Sequence, residues 1–227
     1  MEPGGPERVT IIDYGLGNLF SLQRALAHLG VPGEVTEDPG KIRDAVRLIL
    51  PGVGAFGDGM QQLRARGLVA PLLEAASRAC PLLGICLGMQ LLFTESEEFG
   101  RHEGLDLIRG RVRRLHPQRP DGRRVKVPHV GWSALRLPPG RSDWSGASLR
   151  RHQPGEAMYF VHSYVPCPES ESVVTAVMEY GGRAYCAVVE SGSLLGVQFH
   201  PEKSGEPGLR LLKQFVERPH LERIGIQ

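Results

Sequence analysis

One short segment constrains the fold of this chain more than any other. Residues 83–90 read Leu-Gly-Ile-Cys-Leu-Gly-Met-Gln, which predicts an apolar strand that ends in a Gly-X-Cys-X-Gly turn and opens into a helix. Such a turn exposes the sulfur of Cys86 at the top of a sheet and points a helix N-terminus at it, which favours the thiolate. Because Gly84 and Gly88 relieve the crowding of a strained turn, a nucleophilic cysteine is a better interpretation than a buried core thiol.

A histidine and a carboxylate follow much later in the chain. Residues 196–203 read Gly-Val-Gln-Phe-His-Pro-Glu-Lys, which predicts a strand that delivers His200 to the edge of a sheet. Pro201 disfavours helix at the residue before it, so we expect His200 to be extended and to share a side with Glu202. Alone, the run is typical of a strand end with a surface carboxylate. Together with the cysteine turn it predicts a triad in which Glu202 orients the imidazole of His200 toward Cys86.

Attack on an amide creates an oxyanion, and two segments offer backbone donors for it. The amide of Leu87 directly follows the cysteine. The loop Gly52-Val53-Gly54 follows a neighbouring predicted strand, and its glycines tolerate the φ angles needed to turn an N–H inward. The alternative for this loop is a plain tight turn. A phosphate-binding role is disfavoured because no Gly-Lys-Ser/Thr sequence ends it.

Composition and charge fit a single globular domain. The chain has 227 residues, 41% of them hydrophobic and 23% charged, with a net charge of +2 that gives no global field for nucleic acid or a membrane surface. No apolar run is long enough to span a bilayer. The four cysteines lack paired or metal-ligand spacing, which suits a reducing cytosol and predicts no metal and no cofactor. We expect residues 1–8 to be a disordered tail and residues 9–227 to form one domain.

The order of strands and helices predicts the architecture. Strands are expected at residues 9–13, 47–50 and 82–85, and helices at residues 18–29, 71–79 and 86–93. This alternation predicts a mostly parallel central sheet with helices on both faces, an α/β fold. The second half predicts an antiparallel extension and a closing helix over residues 208–217. Its expected strands are residues 125–128, 158–164, 173–180, 184–190 and 194–200.

The remaining polar features have simpler interpretations. Residues 137–156 are predicted to be a surface loop, and the arginine-rich segment 109–124 a solvated face. His162 lies in an apolar predicted strand and could line the site, whereas His129 could be structural or face a partner. The other five histidines are interpreted as surface residues: His28, His102, His116, His152 and His220.

Taken together, these segments resemble the class I, triad-type glutamine amidotransferases. The resemblance extends from Asp13 to Ser204, and the cysteine turn and His-Pro-Glu run carry its class-level part. The segments Tyr-Gly-Leu-Gly-Asn, Pro-Gly-Val-Gly-Ala-Phe and Pro-His-Val-Gly-Trp are similar to those of the glutaminase subunits of imidazole glycerol phosphate synthase, from histidine biosynthesis. The resemblance implies a flavodoxin-like fold, glutamine as substrate, and a cyclase subunit with a TIM-barrel fold as partner. That partner would use the ammonia.

The resemblance also implies roles for individual residues. The oxyanion hole would come from Gly52, Val53, Gly54 and Leu87. Glutamine would be held by Gln90, Glu98, His162, Ser163 and Tyr164, with Glu98 facing its α-ammonium. The partner interface would include Tyr14, Asn18, Lys126, Pro128, Trp132 and Lys203. Two positions depart from the family pattern, because Ser133 replaces the usual asparagine and Val165 a common tyrosine.

Other functions remain open at this stage. A glutaminase subunit of the anthranilate synthase or vitamin B6 type would carry the same triad. A non-catalytic regulatory scaffold would keep the fold without turnover, although the intact triad argues against it. A cysteine peptidase of similar fold is a third alternative.

Overall fold

The structure is a computed structural model that describes residues 8–117, 122, 125–144 and 148–218. The predicted tail at residues 1–8, apart from Arg8, and His220 lie outside the described residues. Strands β1 to β13 are Val9–Ile12, Gly33–Thr36, Leu48–Leu50, Leu82–Ile85, Phe93–Ser96, His102–Glu103, Ile108–Arg114, His129–Arg136, Ala157–His162, Tyr164–Pro168, Val174–Tyr180, Arg183–Ser191 and Leu194–Val197. Helices α1 to α6 are Leu19–His28, Pro39–Arg43, Phe56–Ala65, Val69–Ser77, Leu87–Leu91 and Gly205–Val216. Short 3₁₀ turns cover Glu171–Val173 and Pro201–Lys203.

A nine-stranded sheet lies at the centre, in the order β2-β1-β3-β4-β13-β12-β11-β8-β9. Strands β2, β1, β3, β4 and β13 are parallel to one another. Strands β12, β11, β8 and β9 continue the sheet with antiparallel pairing. The predicted α/β class, with a parallel sheet and an antiparallel extension, is therefore confirmed.

Helices cover both faces of the parallel half, as predicted. Alternate residues of one strand point to opposite faces, so Ile49 of β3 packs with α1 and α6 while Leu48 and Leu50 pack with α3, α4 and α5. Strands buried on both faces read as continuous apolar runs in the sequence. This explains why β1, β3 and β4 could be located from composition alone.

A second sheet, in the order β10-β7-β5-β6, was not predicted. Its strand β7 buries Ile108, Gly110 and Val112 on one face, and the arginines between them are exposed. The prediction that the arginines of segment 109–124 face solvent is confirmed for those that the structure describes: Arg109, Arg111, Arg113 and Arg114. The high charge of the segment obscured a period-two pattern that is typical of a half-buried strand.

Several predicted boundaries were wrong for local reasons. Residues 125–128 form no strand, because Pro128 has no N–H to donate to a ladder and β8 begins only at His129. The strand predicted over residues 158–164 is interrupted at Ser163, where the chain passes from β9 in one sheet to β10 in the other. The helix expected through Phe93 ends at Leu91, and β5 begins at Phe93. Strand β2 and helices α2 and α3 were not anticipated.

The predicted loop over residues 137–156 contains no helix or strand in its described part, residues 137–144 and 148–156. It nevertheless packs onto the sheet, because Trp144 is buried and donates a hydrogen bond of 2.8 Å from Nε1 to the carbonyl of Thr175. His152 is buried too, with its Nδ1 2.7 Å from Oε2 of Glu156. Its interpretation as a surface residue was therefore wrong.

Candidate active site

The backbone at Cys86 makes a sharp turn between β4 and α5. Its φ angle is +54°, in the left-handed region, and its N–H donates a 2.8 Å hydrogen bond to the carbonyl of Val197 in β13. The glycines beside it are needed for close packing. A Cβ on Gly84 would lie 2.8 Å from the carbonyl oxygen of Gly88, and a Cβ on Gly88 would overlap the carbonyl oxygen of Leu50. The strained cysteine turn expected from the sequence is present.

His200 and Glu202 are joined by a hydrogen bond at the end of the neighbouring strand. The Nδ1 atom of His200 lies 2.9 Å from Oε1 of Glu202, and both side chains are 3% exposed. His200 is extended, at φ −99° and ψ 96°, as the proline after it predicts. Glu202, however, lies in the 3₁₀ turn Pro201–Lys203. The 3₁₀ turn therefore brings the Glu202 carboxylate back to the His200 ring. The prediction that both residues lie on one side of an extended segment was wrong.

The charge state of His200 depends on Cys86 as well as on Glu202. Burial lowers the pKa of His200, but hydrogen bonding and charge interactions with Cys86 and Glu202 outweigh it and raise the pKa to about 10. The Nε2 atom is buried, and no hydrogen bond of ordinary geometry to it is present. An imidazolium held between a sulfur and a carboxylate is the state that protonates a leaving group. Glu202 is thus hydrogen-bonded to His200, and His200 interacts electrostatically with Cys86, the third residue of the predicted triad.

The amides expected to form the oxyanion hole are engaged elsewhere. The N–H of Leu87 donates to the carbonyl of Gly52 at 3.4 Å, and the N–H of Val53 donates to the carbonyl of Leu16 at 3.3 Å. Gly54 has a φ of +107°, which glycine adopts readily. A Cβ on Gly52 would overlap the hydroxyl of Tyr14 and lie 2.9 Å from Cβ of Leu87. Val53 and Gly54 thus line the same cavity as Cys86, but the N–H groups of Val53 and Leu87 are bound to backbone carbonyls.

A cavity of about 330 Å³ opens beside the sulfur of Cys86. Eight residues that were expected to contact the substrate line it: Val53, Gly54, Leu87, Gln90, Glu98, His162, Ser163 and Tyr164. Gly52 does not line the cavity, and its carbonyl accepts the hydrogen bond from the N–H of Leu87. Pro128, expected at the partner interface, also lines the cavity, as does Val161, which was not anticipated. The cavity is of the size that holds a small metabolite.

Hydrogen bonds fix the polar groups of the cavity wall. The Nε2 atom of Gln90 donates to the carbonyl of Tyr164 and to Oε1 of Gln198, each at 3.0 Å. Gln198 is fully buried, and its own Nε2 lies 3.7 Å from Sγ of Cys86. Sequence reasoning missed Gln198, although its position two residues before His200 in the same run was a usable signal.

Glu98 accepts from the N–H of Phe56 at 2.8 Å, and burial raises the pKa of this carboxyl group.

His162 is neutral in this environment. Its Nδ1 lies 2.9 Å from the carbonyl of Tyr164 and must therefore carry the proton, which leaves Nε2 as a buried acceptor. Burial lowers the pKa of His162 to about 4. His129 lies opposite it in the β8–β9 pair, is buried, and stacks on Tyr180 at 4.0 Å between ring centroids. The structural interpretation of His129 is favoured, since its Nε2 lies 2.9 Å from Oγ of Ser133.

The residues expected at a partner interface differ in their exposure to solvent. Lys126, Pro128 and Lys203 are exposed, and Trp132 is 57% exposed. Asn18 is half-buried and caps helix α1 by accepting from the N–H of Ser21 at 3.4 Å. Tyr14 differs from the expectation, because it is 1% exposed and its hydroxyl lies under the Gly52 loop. Burial also raises its pKa.

Of the two departures from the family pattern, Ser133 contacts His129 and Val165 is buried in β10.

Within residues 8–117, 122, 125–144 and 148–218, no group of three or more His, Cys, Asp or Glu side chains is close enough together to hold a metal ion. Nor does that part of the chain contain a helix long and apolar enough to cross a membrane.

Comparison with known proteins identifies the class. The family model described as glutamine amidotransferase class-I matches residues 10–218. A crystal structure titled as a glutamine amidotransferase superimposes with a TM-score of 0.68, at 21% identity, over 92% of this chain and 97% of that chain. The structure of PurLQS from Thermotoga maritima gives a TM-score of 0.64 at 19% identity, over 94% and 99% of the two chains. The chain belongs to the class I glutamine amidotransferase family.

Curated relatives give a finer comparison within that family. The chain is 53% identical over 209 residues to imidazole glycerol phosphate synthase subunit HisH of Moorella thermoacetica, which covers 92% of this chain and 94% of the relative. It is 48% identical to subunit HisH of Syntrophotalea carbinolica, over 91% of this chain and 98% of the relative. The resemblance noted from the motifs is thereby confirmed at both levels, the class and the subfamily.

The burial of neutral His162 predicts that the folded chain is less stable in acid. Its pKa is about 4 in the folded chain against 6.5 in an unfolded one, so the unfolded state binds more protons between these values. Stability contributed by the neutral imidazole is present above pH 6.5 and is lost as the pH falls toward 4, by about 3 kcal/mol. Urea unfolding at pH 7 and at pH 4 measures this loss. The variant His162→Asn, whose amide can still donate to the Tyr164 carbonyl, should lose about 3 kcal/mol less.

The same comparison contains its own control. His152, whose pKa burial also lowers and whose charged neighbours do not include His162, is unchanged in the variant, so its contribution cancels in the difference. An equal loss of unfolding free energy in both proteins would contradict the neutral, buried state of His162.

Proposed function

We propose that this chain is the glutaminase subunit of an imidazole glycerol phosphate synthase. It would hydrolyse glutamine at Cys86 and deliver ammonia to a cyclase subunit, in the cytoplasm. The observation that carries the proposal is the His200–Glu202 pair, buried and electrostatically coupled to Cys86 beside a cavity of about 330 Å³. The relatives of 53% and 48% identity are subunits of that synthase by name.

The geometry supports a thioester mechanism. The thiolate of Cys86 attacks the side-chain amide carbon of glutamine, and a tetrahedral intermediate with a negative oxygen forms. His200, charged because Cys86 and Glu202 raise its pKa, gives its proton to the departing nitrogen, and ammonia leaves. The glutamyl group remains on the sulfur. Water then attacks the thioester, His200 takes up a proton from it, and glutamate leaves as the thiolate is restored.

The cavity wall supports the recognition of glutamine. One oxygen of Glu98 is tied to the N–H of Phe56, and the other is available to an α-ammonium group. The carbonyl of Tyr164 is occupied by Gln90 and His162, which fixes the segment of residues 162–164 against the cavity. We assign the amide end of glutamine to the sulfur of Cys86 and the amino-acid end to the side of Glu98.

Ammonia must reach its acceptor without taking up a proton, because ammonium is not a nucleophile. Release to a tightly bound partner serves this need, and the exposed side chains of Trp132, Lys126 and Lys203 form the surface we assign to that partner. The partner is a cyclase of TIM-barrel fold, which converts N'-phosphoribulosyl formimino carboxamide ribotide to imidazole glycerol phosphate and an aminoimidazole carboxamide ribotide. That acceptor would bind to the partner.

The structure gives a physical reason for a low basal rate. Both expected oxyanion donors are satisfied by backbone carbonyls, Leu87 by Gly52 and Val53 by Leu16. Rotation of the Gly52–Val53 peptide would break both contacts at once, because the Gly52 carbonyl and the Val53 N–H belong to the same peptide unit. The N–H groups would then be available to the oxyanion. We assign this rotation to the partner loaded with acceptor.

Activation is the first test. The isolated chain should hydrolyse glutamine slowly, and the complex with acceptor should be faster by roughly 100-fold or more, since one missing oxyanion donor costs about 3 to 4 kcal/mol of barrier. Steady-state glutaminase assays with and without partner and acceptor measure this. Full activity of the isolated chain would contradict the switch. Stimulation only by chorismate or by a vitamin B6 precursor would assign the chain to another synthase.

Replacement of the nucleophile is the second test. Cys86→Ala should abolish synthesis driven by glutamine in the complex but spare synthesis driven by added ammonium salt, because the partner uses free ammonia. The matched control is Cys167→Ala, which removes an exposed thiol and should leave both rates unchanged. Loss of both rates in Cys86→Ala would give Cys86 a structural role, and the mechanism would fall.

A further inference from the structure

The buried hydroxyl of Ser204 joins two segments of the chain beside the triad. Its Oγ accepts a 3.0 Å hydrogen bond from the N–H of Tyr159 in β9 and donates a 2.7 Å hydrogen bond to the carbonyl of His200. The carbonyl of Tyr159 accepts from the N–H of His200 at 2.9 Å, which closes the ring of contacts. Ser204 itself is 1% exposed. We propose that Ser204 is a positioning residue that holds the His200 imidazole in line with Cys86 through this ring.

The hydrogen bonds of Ser204 do not serve the helix that it precedes. Ser204 stands at the N-cap position of α6, where a serine normally accepts from a backbone N–H of the first turn. Its side chain makes no such bond. The hydroxyl donates its one proton to the His200 carbonyl and accepts a hydrogen bond from the N–H of Tyr159. It therefore connects the segment that follows β13 to strand β9. Loss of the hydroxyl would therefore disturb His200 more than it would disturb α6.

His200 depends on this support because its strand has already ended. Strand β13 stops at Val197, and beyond it the His200 backbone is held by Tyr159, by Ser204 and by the N–H of Lys203, 3.0 Å from the His200 carbonyl. Glu202 orients the ring, whereas Ser204 fixes the peptide that carries it. A displacement of about 1 Å in a catalytic group can cost roughly 100-fold in rate. The role in catalysis rests on the proposed function.

The experiment is Ser204→Ala in the complete complex with acceptor. We expect the glutamine-driven kcat to fall 10- to 100-fold with KM for glutamine within twofold, because the cavity that binds glutamine does not include Ser204. Synthesis driven by ammonium salt should be unchanged. Covalent labelling of Cys86 by a glutamine-mimicking electrophile should slow by a similar factor. The matched control is Ser170→Ala, which removes a side-chain hydrogen bond to the N–H of Ser172 on an exposed turn and should change none of these rates.

The outcomes separate the inference from the proposed function. A glutamine-driven kcat within twofold of wild type would overturn the role of Ser204, and so would an equal loss of glutamine-driven and ammonium-driven synthesis. If Ser204→Ala does not fold, Ser204→Cys keeps a side-chain donor and acceptor on a larger sulfur atom that weakens both hydrogen bonds, and the same fall in kcat is expected. A wild-type complex that makes no ammonia from glutamine would overturn the proposed function itself.

Discussion

Cys86 takes up a left-handed backbone conformation because the chain must pass from strand β4 into helix α5 within one residue. This strained conformation requires that neighbouring side chains do not clash with the turn. Gly84 and Gly88 meet this requirement, because any Cβ at either position would clash with nearby backbone atoms. Three adjacent parallel strands then supply the site. Strand β3 leads into the Gly52 loop, β4 into Cys86, and β13 into His200. Since the carboxyl ends of parallel strands meet at one edge of a sheet, residues distant in sequence converge there.

The His200–Glu202 pair and the cavity are formed, whereas both expected oxyanion donors are bound to backbone carbonyls. His200, Glu202 and the cavity wall are fixed by hydrogen bonds, whereas the Gly52–Val53 peptide binds Leu16 and Leu87 on its two sides. In the function that we propose, rotation of this one peptide unit would release both donors at once. Glutamine would then bind to a rigid cavity before the rotation starts the chemistry.

Local patterns were enough to predict the parts of the fold that are fixed locally. The continuous apolar strands β1, β3 and β4, the cysteine turn and the His200–Glu202 pair could all be located from short sequences. The second sheet could not, because exposed arginines hid the alternation of β7 and because one of its partner strands, β10, is distant in sequence. The burial of Tyr14 and His152 depends on which segments pack over them, which a single sequence does not report.

The coupling of Cys86 to His200 is the central claim, and an NMR titration of the His200 imidazole tests it most directly. The account predicts a pKa raised to about 10 in the wild-type chain and a clearly lower pKa in Cys86→Ala, where burial is no longer opposed by the sulfur. A His200 imidazole that titrates near its ordinary value of 6.5 in both proteins would contradict it.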